Sequence, residues 1–433
     1  MPFQRPYVVS WNLTYRCNLA CEHCYLDAGG NPQVESEEFS DRSELTTEQC
    51  RGVIDEIAEF APEALTILTG GEPLLRRDIL EIIRHANRRG LWVVVGTNGV
   101  SITENLARTL ADEGVRGLAL SLDALEPETH DRFRRVRGAW NNTVEGAAIL
   151  RRVGLPFIVQ TTVGRHNFAD LEAISDFARD ELGAKVWNLY FIVQTGRGQF
   201  VSEITPEEYD AVLLDLHRVQ RKHASAMVVN AKCAPHYVKT LFEHEPDSPA
   251  IRTYTGGAGG CPAGTHYMGI RPNGDLTPCP YLPLFAGNLK RDRLSDLWER
   301  SDLFVGIRKR GDLGGRCGEC ELNAHCGGCR ARAYGMTGDY LAEDPLCTHH
   351  PGTFSRPESL ASSAIAYGEP ELRGIDWDDQ ARERMKRVPA FVRGRVIKAV
   401  ESHCEKQGIR RVTVAELEKI RSRMPTPKFF GRG

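Results

Sequence analysis

Residues 8–25 constrain this chain more than any other stretch. The apolar run Val8-Val9-Ser10-Trp11-Asn12-Leu13 reads as a strand, and it feeds a loop that carries Cys17, Cys21 and Cys24. Spacings of three residues and then two let all three thiolates converge on one small object. A structural zinc site is closed by four ligands, whereas an iron–sulfur cube held by three cysteines keeps one iron open for a ligand from outside the protein. The spacing alone is also met by chance or by half of a zinc site. A second motif adds to it: Thr69-Gly70-Gly71-Glu72-Pro73 follows the apolar strand Ala64–Leu68. It brings exposed backbone and one carboxylate to a strand's C-terminal end, where α/β sheets bind ligands. Such an edge suits an amino-acid-like ligand.

With Trp11-Asn12 before the loop and Tyr25 after it, this pair of motifs resembles the radical S-adenosylmethionine (SAM) superfamily. The family signature is cysteine, three residues, cysteine, two residues of which the second is usually aromatic (here His23), and cysteine. The resemblance implies a [4Fe-4S] cluster on Cys17, Cys21 and Cys24 whose open iron takes the amino and carboxylate groups of SAM. It implies that the Gly70-Gly71-Glu72-Pro73 turn holds the amino group. It implies further that Ser121 and Arg134 contact the SAM carboxylate and ribose, with Asn98 in a similar role. By residue type alone, these three read equally as strand-end caps or surface ion pairs.

At 433 residues the chain exceeds one ordinary core and should hold two or three domains. A hydrophobic fraction of 41% and a net charge of −3 fit a soluble protein with no overall attraction to nucleic acid. No apolar run is long enough to span a bilayer, and residues 1–10 lack the order of a signal peptide, so no membrane association and a cytoplasmic location are expected. Thirteen cysteines at short, clustered spacings in such a chain argue for metal rather than disulfides. Cys50 and Cys404 fall in predicted helices and read as packed thiols, and Cys233 has no assignment. From Thr46 to Asn188, amphipathic segments (46–60, 78–89, 103–113, 141–153, 168–182) alternate with β-rich runs (64–69, 91–96, 117–122, 156–163, 185–192). Counting residues 7–13, six strands predict an α/β fold of partial (β/α)6 TIM-like barrel type. Its active groups belong at the strands' C-terminal ends, where Cys17–Cys24, Gly70–Glu72, Thr97-Asn98-Gly99, Ser121-Leu122-Asp123 and Gln160-Thr161 all fall. Asp27–Arg42 reads as a polar flap or solvated loop after the cysteines.

A further predicted helix, 205–224, precedes the Gly-rich run Gly256–Gly260, where a second cysteine system begins. Cys261 and Cys279 flank an alternating segment, His266–Leu276, whose Pro272-Asn273-Gly274-Asp275 signals a hairpin that returns Cys279 towards Cys261. Cys317, Cys320, Cys326, Cys329 and Cys347 follow. These seven resemble the SPASM domain, an extension that carries auxiliary iron–sulfur clusters. The resemblance implies one or two auxiliary [4Fe-4S] clusters, one on Cys317, Cys320, Cys326 and Cys347 and another on Cys261, Cys279 and Cys329. A zinc ribbon would instead use the Cys317/Cys320 and Cys326/Cys329 pairs. Two features depart from the family. Cys326-Gly327-Gly328-Cys329 has two residues where three are usual, and the usual fourth ligand position of the second cluster is Thr255. Its open iron could bind substrate, accept an electron, or be capped by Cys233, His266 or water.

The strings Cys317-Gly318-Glu319-Cys320, Gly327 to Tyr334, Thr337 to Cys347 and Cys279-Pro280-Tyr281-Leu282-Pro283 with Gly287-Asn288 resemble the tetrapyrrole branch of SPASM proteins, which acts in haem synthesis from sirohaem and in making haem d1. After a Pro/Ser/Gly linker, a small all-α unit is expected from an Asp-capped helix at Asp376 through Arg382–Lys406 and Ala415–Arg423. It carries 13 Lys/Arg against 8 Asp/Glu. Residues 387–394 and 400–409 resemble the C-terminal domain of the protochlorophyllide reductase B subunit, although a basic helical unit for solubility or self-association fits the composition too. The expected divisions are a barrel (1–225), an auxiliary-cluster region (226–350), a linker (351–374) and the helical unit (375–433).

The expected activity is that of a radical SAM oxidoreductase or lyase, with SAM and iron–sulfur clusters as cofactors. It would take hydrogen from a carboxylated side chain of a sirohaem-derived tetrapyrrole, with Arg330, Arg332, Arg393 or Arg395 as partners for substrate carboxylates. A reductant such as ferredoxin or flavodoxin would supply the electron. The alternative is a peptide maturase acting on a precursor peptide, although Trp11 on the first strand leaves no room for the leader-recognition domain such enzymes often carry. A non-catalytic redox scaffold would have no use for the Gly70–Pro73 turn.

Overall fold

A computed structural model describes residues 5–29, 33, 41–201, 204–224, 226–246, 260–354, 375–386, 388 and 390–423. The polypeptide opens with β1 (Val8–Asn12), β2 (Leu65–Thr69), β3 (Trp92–Thr97), β4 (Leu118–Ser121), β5 (Phe157–Val163) and β6 (Val186–Phe191), paired in that order and all parallel. Helices 47–60, 79–88, 104–112, 139–153 and 171–180 connect or flank them. This is the partial barrel that the alternating pattern predicts. Capping sets the helix starts: Thr46 and Gln49 form a reciprocal capping box, as do Thr205 and Glu208 ahead of helix 206–223.

The sheet runs on past the six expected strands. β7 (Val228–Lys232) adds in parallel to β6. On the other side β8 (Tyr267–Ile270) pairs in parallel with β1, then β9 (Asp275–Thr277) and β10 (Gly287–Asn288) follow antiparallel. The Pro272–Asp275 turn therefore makes the expected hairpin, but the hairpin is annealed to the first barrel strand. One ten-stranded sheet joins the two cysteine systems.

Alternation along β5 separates the two sides of the sheet. Phe157, Val159, Thr161 and Val163 are buried under the helices, while Ile158, Gln160 and Thr162 are half-buried. β2 and β3 repeat the pattern. The inner face thus lines a chamber, where a full eight-stranded barrel would be filled by side chains.

The C-terminal unit differs from the expectation of an all-helical fold. Asp376–Trp377 is a strand, β11, paired in parallel with β12 (Arg411–Val412). The helix expected over 382–406 is two, Asp379–Lys386 and Ala390–Lys406. Proline at 389 cannot continue a helix. The unit has its own small core around Trp377, Ala381, Ile397, Val400, Cys404 and Val412. Cys404 is a packed thiol, as is Cys50 in the barrel core. Arg393, 8% exposed, bonds to Val388 O and to Glu63 of the barrel. Among the described residues no helix is long and apolar enough to cross a membrane.

Trp377 is 2% exposed and its Nε1 donates to Glu401 at 3.0 Å. Trp377→Ala should remove about 3–5 kcal/mol from a unit with this small a core. Calorimetry is expected to show an early, separate transition for the C-terminal unit with the barrel transition unmoved. A joint shift of both would mean that the unit folds only as part of the barrel.

Candidate active site and cluster-binding sites

The cysteine loop sits directly on the exit of β2. Gly71 N donates to Thr14 O at 2.7 Å and Glu72 N to Arg16 O at 2.8 Å, one residue before Cys17. A Cβ on Gly71 would lie 2.3 Å from the Arg16 carbonyl oxygen, and Gly70 has φ +150° with Thr14 O 2.8 Å from its would-be Cβ. Glycine is needed at both positions because two backbones touch there.

Cys17, Cys21, Cys24, Gly70, Gly71, Asn98, Ser121 and Arg134 all line a single open cavity at the C-terminal mouth of the sheet. Glu72 and Pro73 lie behind it. The Glu72 carboxylate is fully buried and accepts from Thr97 Oγ1 (2.9 Å), Asn98 N (2.8 Å) and Leu74 N (3.1 Å), so it braces the ends of β2 and β3. Burial pushes its pKa up to about 7 against these donors. Arg134 donates through Nε to the buried Asp123 (2.6 Å) and turns Nη1 to Cys21 Sγ (3.6 Å). Burial acts to raise the Asp123 pKa, but the Arg134 guanidinium beside it outweighs burial and holds the carboxyl far below the usual carboxylate range. His23 stacks on Phe133 at 4.3 Å, and Phe133 on His166 at 4.0 Å. Burial drops the His23 pKa to about 3, so it serves as a neutral aromatic ring in the motif.

Sequence reasoning missed Arg197. Its Nη1 donates to Asp27 Oδ1 (2.9 Å) and Ala28 O (2.8 Å), and its Nε to Cys21 O (2.9 Å), all buried. From the turn after β6 it staples the far side of the cysteine loop. The signal for it is Gly196-Arg197-Gly198: a Cβ on Gly196 would fall 2.4 Å from Cys24 O. Asp27 also pairs with Arg42 at 3.0 Å, so both ends of the expected flap are clamped. Residues 30–32 and 34–40 of that flap lie outside the described residues.

Downstream, Cys317, Cys320, Cys326 and Cys347 line one cavity of about 440 Å³. Cys329 leaves that group and packs with Cys261 and Cys279. The fold therefore separates the two halves of a zinc ribbon's second pair. Gly327 and Gly328, with φ +64° and +59°, turn the chain between them. Amides are aimed at the sulfurs, most often from two residues on. Leu19 N reaches Cys17, Leu322 N reaches Cys320 and Gly328 N reaches Cys326, at 3.3–3.4 Å, and Ala28 N reaches Cys24 at 3.3 Å. A thiol is a weak acceptor and a cluster-bound thiolate a strong one, so the backbone is arranged for metal-bound sulfur. The thiol sets fit iron–sulfur clusters. When bound, such a cluster with an open iron supplies the electron that cleaves SAM.

The arginines expected to meet substrate do not face the chamber. Arg330 is fully buried and donates to Tyr340 O and Ala342 O, and Arg332, equally buried, binds Asp344 (3.0 Å) and Cys233 O (2.7 Å). Arg393 faces Glu63, and the Arg395 side chain lies outside the described residues. Helix 330–337 turns its arginines inward because the loop that follows it has carbonyls (Tyr340 and Ala342) and a buried carboxylate (Asp344) to satisfy.

Gly71→Ala should push the Arg16 carbonyl, and with it Cys17, off its position. Titration calorimetry is expected to show SAM binding at least about tenfold weaker, about 1.4 kcal/mol, with iron at the downstream thiols unchanged. Unaltered SAM affinity would contradict the role given to this contact.

The radical SAM superfamily domain matches residues 11–178, the SPASM iron–sulfur cluster-binding domain residues 261–329, and the proto-chlorophyllide reductase 57 kD subunit domain residues 377–421. The AdoMet-dependent heme synthase of Methanosarcina barkeri is 37% identical over 352 residues, 80% of this chain and 97% of that protein. The pre-heme d1 synthase of Dinoroseobacter shibae is 31% identical over 359 residues, 78% of this chain and 85% of that protein. In fold the chain is similar to Streptococcus suis SuiB bound to S-adenosylmethionine, with a TM-score of 0.62 at 20% identity, over 80% of this chain and 78% of that one. The chain is an enzyme with SAM and [4Fe-4S] clusters as cofactors, and it belongs to the radical SAM superfamily, in its SPASM-bearing tetrapyrrole branch.

Proposed function

We propose that this enzyme removes or modifies a carboxylate side chain of a sirohaem-derived tetrapyrrole on a route to haem or haem d1. The observation that carries the reading is the similarity to AdoMet-dependent heme synthase along nearly the whole of that protein. Cys17, Cys21 and Cys24 would hold the cluster and the Gly70–Gly71 edge the SAM bound to it, and together these would supply radical hydrogen abstraction from carbons that side-chain acids and bases cannot activate. A reductant such as ferredoxin or flavodoxin provides the starting electron.

The protein's part is to bind, orient and exclude water. The chamber at the mouth of the sheet is lined both by the three cysteines with the Gly70–Gly71 edge and by a group of tyrosines, which supports a SAM side and a substrate side. Part of the chamber wall is made by Tyr25, Tyr190, Tyr267 and Tyr281, with Pro280 beside them. Tyr25 and Tyr281 contact each other at 4.6 Å, a surface suited to a flat macrocycle. Burial pushes all four phenols well up, so they stay neutral donors. Gln160 Nε2, 3.3 Å from Tyr190 OH, adds a donor from β5. These groups, rather than the buried arginines, would hold substrate carboxylates. On a propionate, loss of hydrogen followed by release of carbon dioxide and one electron leaves an alkene. An oxidised auxiliary cluster held at Cys279, next to Pro280 and Tyr281, would accept that electron.

Anaerobically reconstituted protein with SAM, dithionite and either 12,18-didecarboxysirohaem or iron-coproporphyrin should yield 5′-deoxyadenosine and a tetrapyrrole that has lost or altered carboxyl groups, read by mass spectrometry. Formation of 5′-deoxyadenosine with both tetrapyrroles untouched, while a precursor peptide is crosslinked or oxidised, would establish the peptide reading instead. Tyr190→Phe should lower kcat/KM for the tetrapyrrole about tenfold or more, the loss of a hydrogen bond to a charged group, and leave substrate-free SAM cleavage unchanged.

A further inference from the structure

Cys233 is the one cysteine that neither motif assigns and that no helix core absorbs. It follows β7 directly and has φ +56°, in the left-handed region that side-chain-bearing residues rarely adopt. It packs into the same cluster of residues as Cys261, Cys279 and Cys329. One buried ion pair fixes the relative position: Arg332 donates to Cys233 O at 2.7 Å and to Asp344 at 3.0 Å, and Asp344 Oδ2 accepts from Cys329 N at 2.6 Å. The backbones of Cys233 and Cys329 are thus held through a single guanidinium–carboxylate pair. His266, the other side chain that could cap an iron here, stacks on Tyr7 at 5.4 Å and bonds to Thr265 Oγ1. Thr255 lies outside the described residues and has no thiolate to offer.

We propose that Cys233, supplied from the turn after β7, is the fourth ligand of the auxiliary cluster held by Cys261, Cys279 and Cys329. The proposal rests on the reading that these three thiols hold a cluster. It has a chemical consequence: a cluster with four cysteine ligands has no open iron, so it passes electrons and does not bind substrate. The residue moves the ligand from a position just ahead of Cys261 to the edge strand of the barrel. The cluster is thereby tied to both ends of the sheet, to β7 through Cys233 and to the β8–β9 hairpin through Cys279.

The test uses the full chain carrying Cys17→Ala, Cys21→Ala and Cys24→Ala, which leaves only the auxiliary clusters. After anaerobic reconstitution, iron and sulfide are assayed, and the protein is then oxidised with ferricyanide and examined by electron paramagnetic resonance. A cluster with an uncapped iron loses it and gives a [3Fe-4S] signal, whereas a four-cysteine cluster does not. The expected result is iron for two clusters and no such signal, with the signal appearing once Cys233→Ala is added. A fall to iron for one cluster in the Cys233→Ala protein, with circular dichroism unchanged, also supports the ligand role. A [3Fe-4S] signal while Cys233 is present overturns the proposal whether or not the alanine variant folds, as does oxidation resistance that persists in Cys233→Ala. Iron for one cluster only in the protein that keeps Cys233 would overturn the underlying three-thiol reading itself.

Discussion

The contact between the Gly70–Gly71 turn and the carbonyls of Thr14 and Arg16 is the constraint on which the rest of the site depends. It fixes the start of the cysteine loop against the end of β2 by two backbone hydrogen bonds and by the absence of side chains. Glu72 carries the bracing on to β3 through Thr97 and Asn98, and Arg197 closes it from the turn after β6. The three thiols are therefore held from both sides of the barrel mouth by buried groups whose own partners are satisfied. Breaking one such partner would strand a buried charge, at a cost of about 3–5 kcal/mol. Precision at the sulfurs is what burying Asp27, Glu72 and Asp123 at the barrel mouth secures.

The second dependence is topological. Because β8 is hydrogen-bonded to β1, the hairpin that leads to Cys279 is part of the sheet that carries the first cysteine loop. Distances between the SAM edge and the auxiliary thiols are set by a β ladder, which is stiffer than a domain interface. Tyr267 on β8 and Tyr281 just beyond Cys279 then form a wall of the same chamber that Gly70, Ser121 and Gln160 line. A chamber built on one sheet keeps a reactive radical at a fixed distance from its target without a hinge.

Much of this was legible in the sequence. Period-two runs between amphipathic helices predict the six parallel strands, and the spacings of the cysteines foretell two systems. Pro272–Asp275 gives the hairpin. What was not legible is how non-local pairs resolve. Nothing in the composition of residues 266–270 says that they will anneal to residues 8–11, and β7 is a short run whose pairing with β6 depends on a register set elsewhere. Arginines were the least readable residues. Arg330 and Arg332 look like substrate partners in a string of motif residues, yet each neutralises carbonyls or a carboxylate that only the folded loop buries. Arg197, in an unremarked Gly-Arg-Gly, carries a larger structural share. The Asp376–Trp377 strand looked like a helix start because Asp378 does cap the following helix, through Gln380 N and Ala381 N.

The Cys17/Cys21/Cys24 centre is expected to have a vacant iron facing Gly70 and Gly71 that SAM fills. The most direct measurement is electron–nuclear double resonance on the reduced protein, with the auxiliary thiols substituted, after addition of SAM labelled with ¹⁵N in its methionine amino group and ¹⁷O in its carboxylate. Hyperfine coupling of both labels to the reduced cluster is the expected result. A cluster whose spectrum is the same with and without labelled SAM would contradict it.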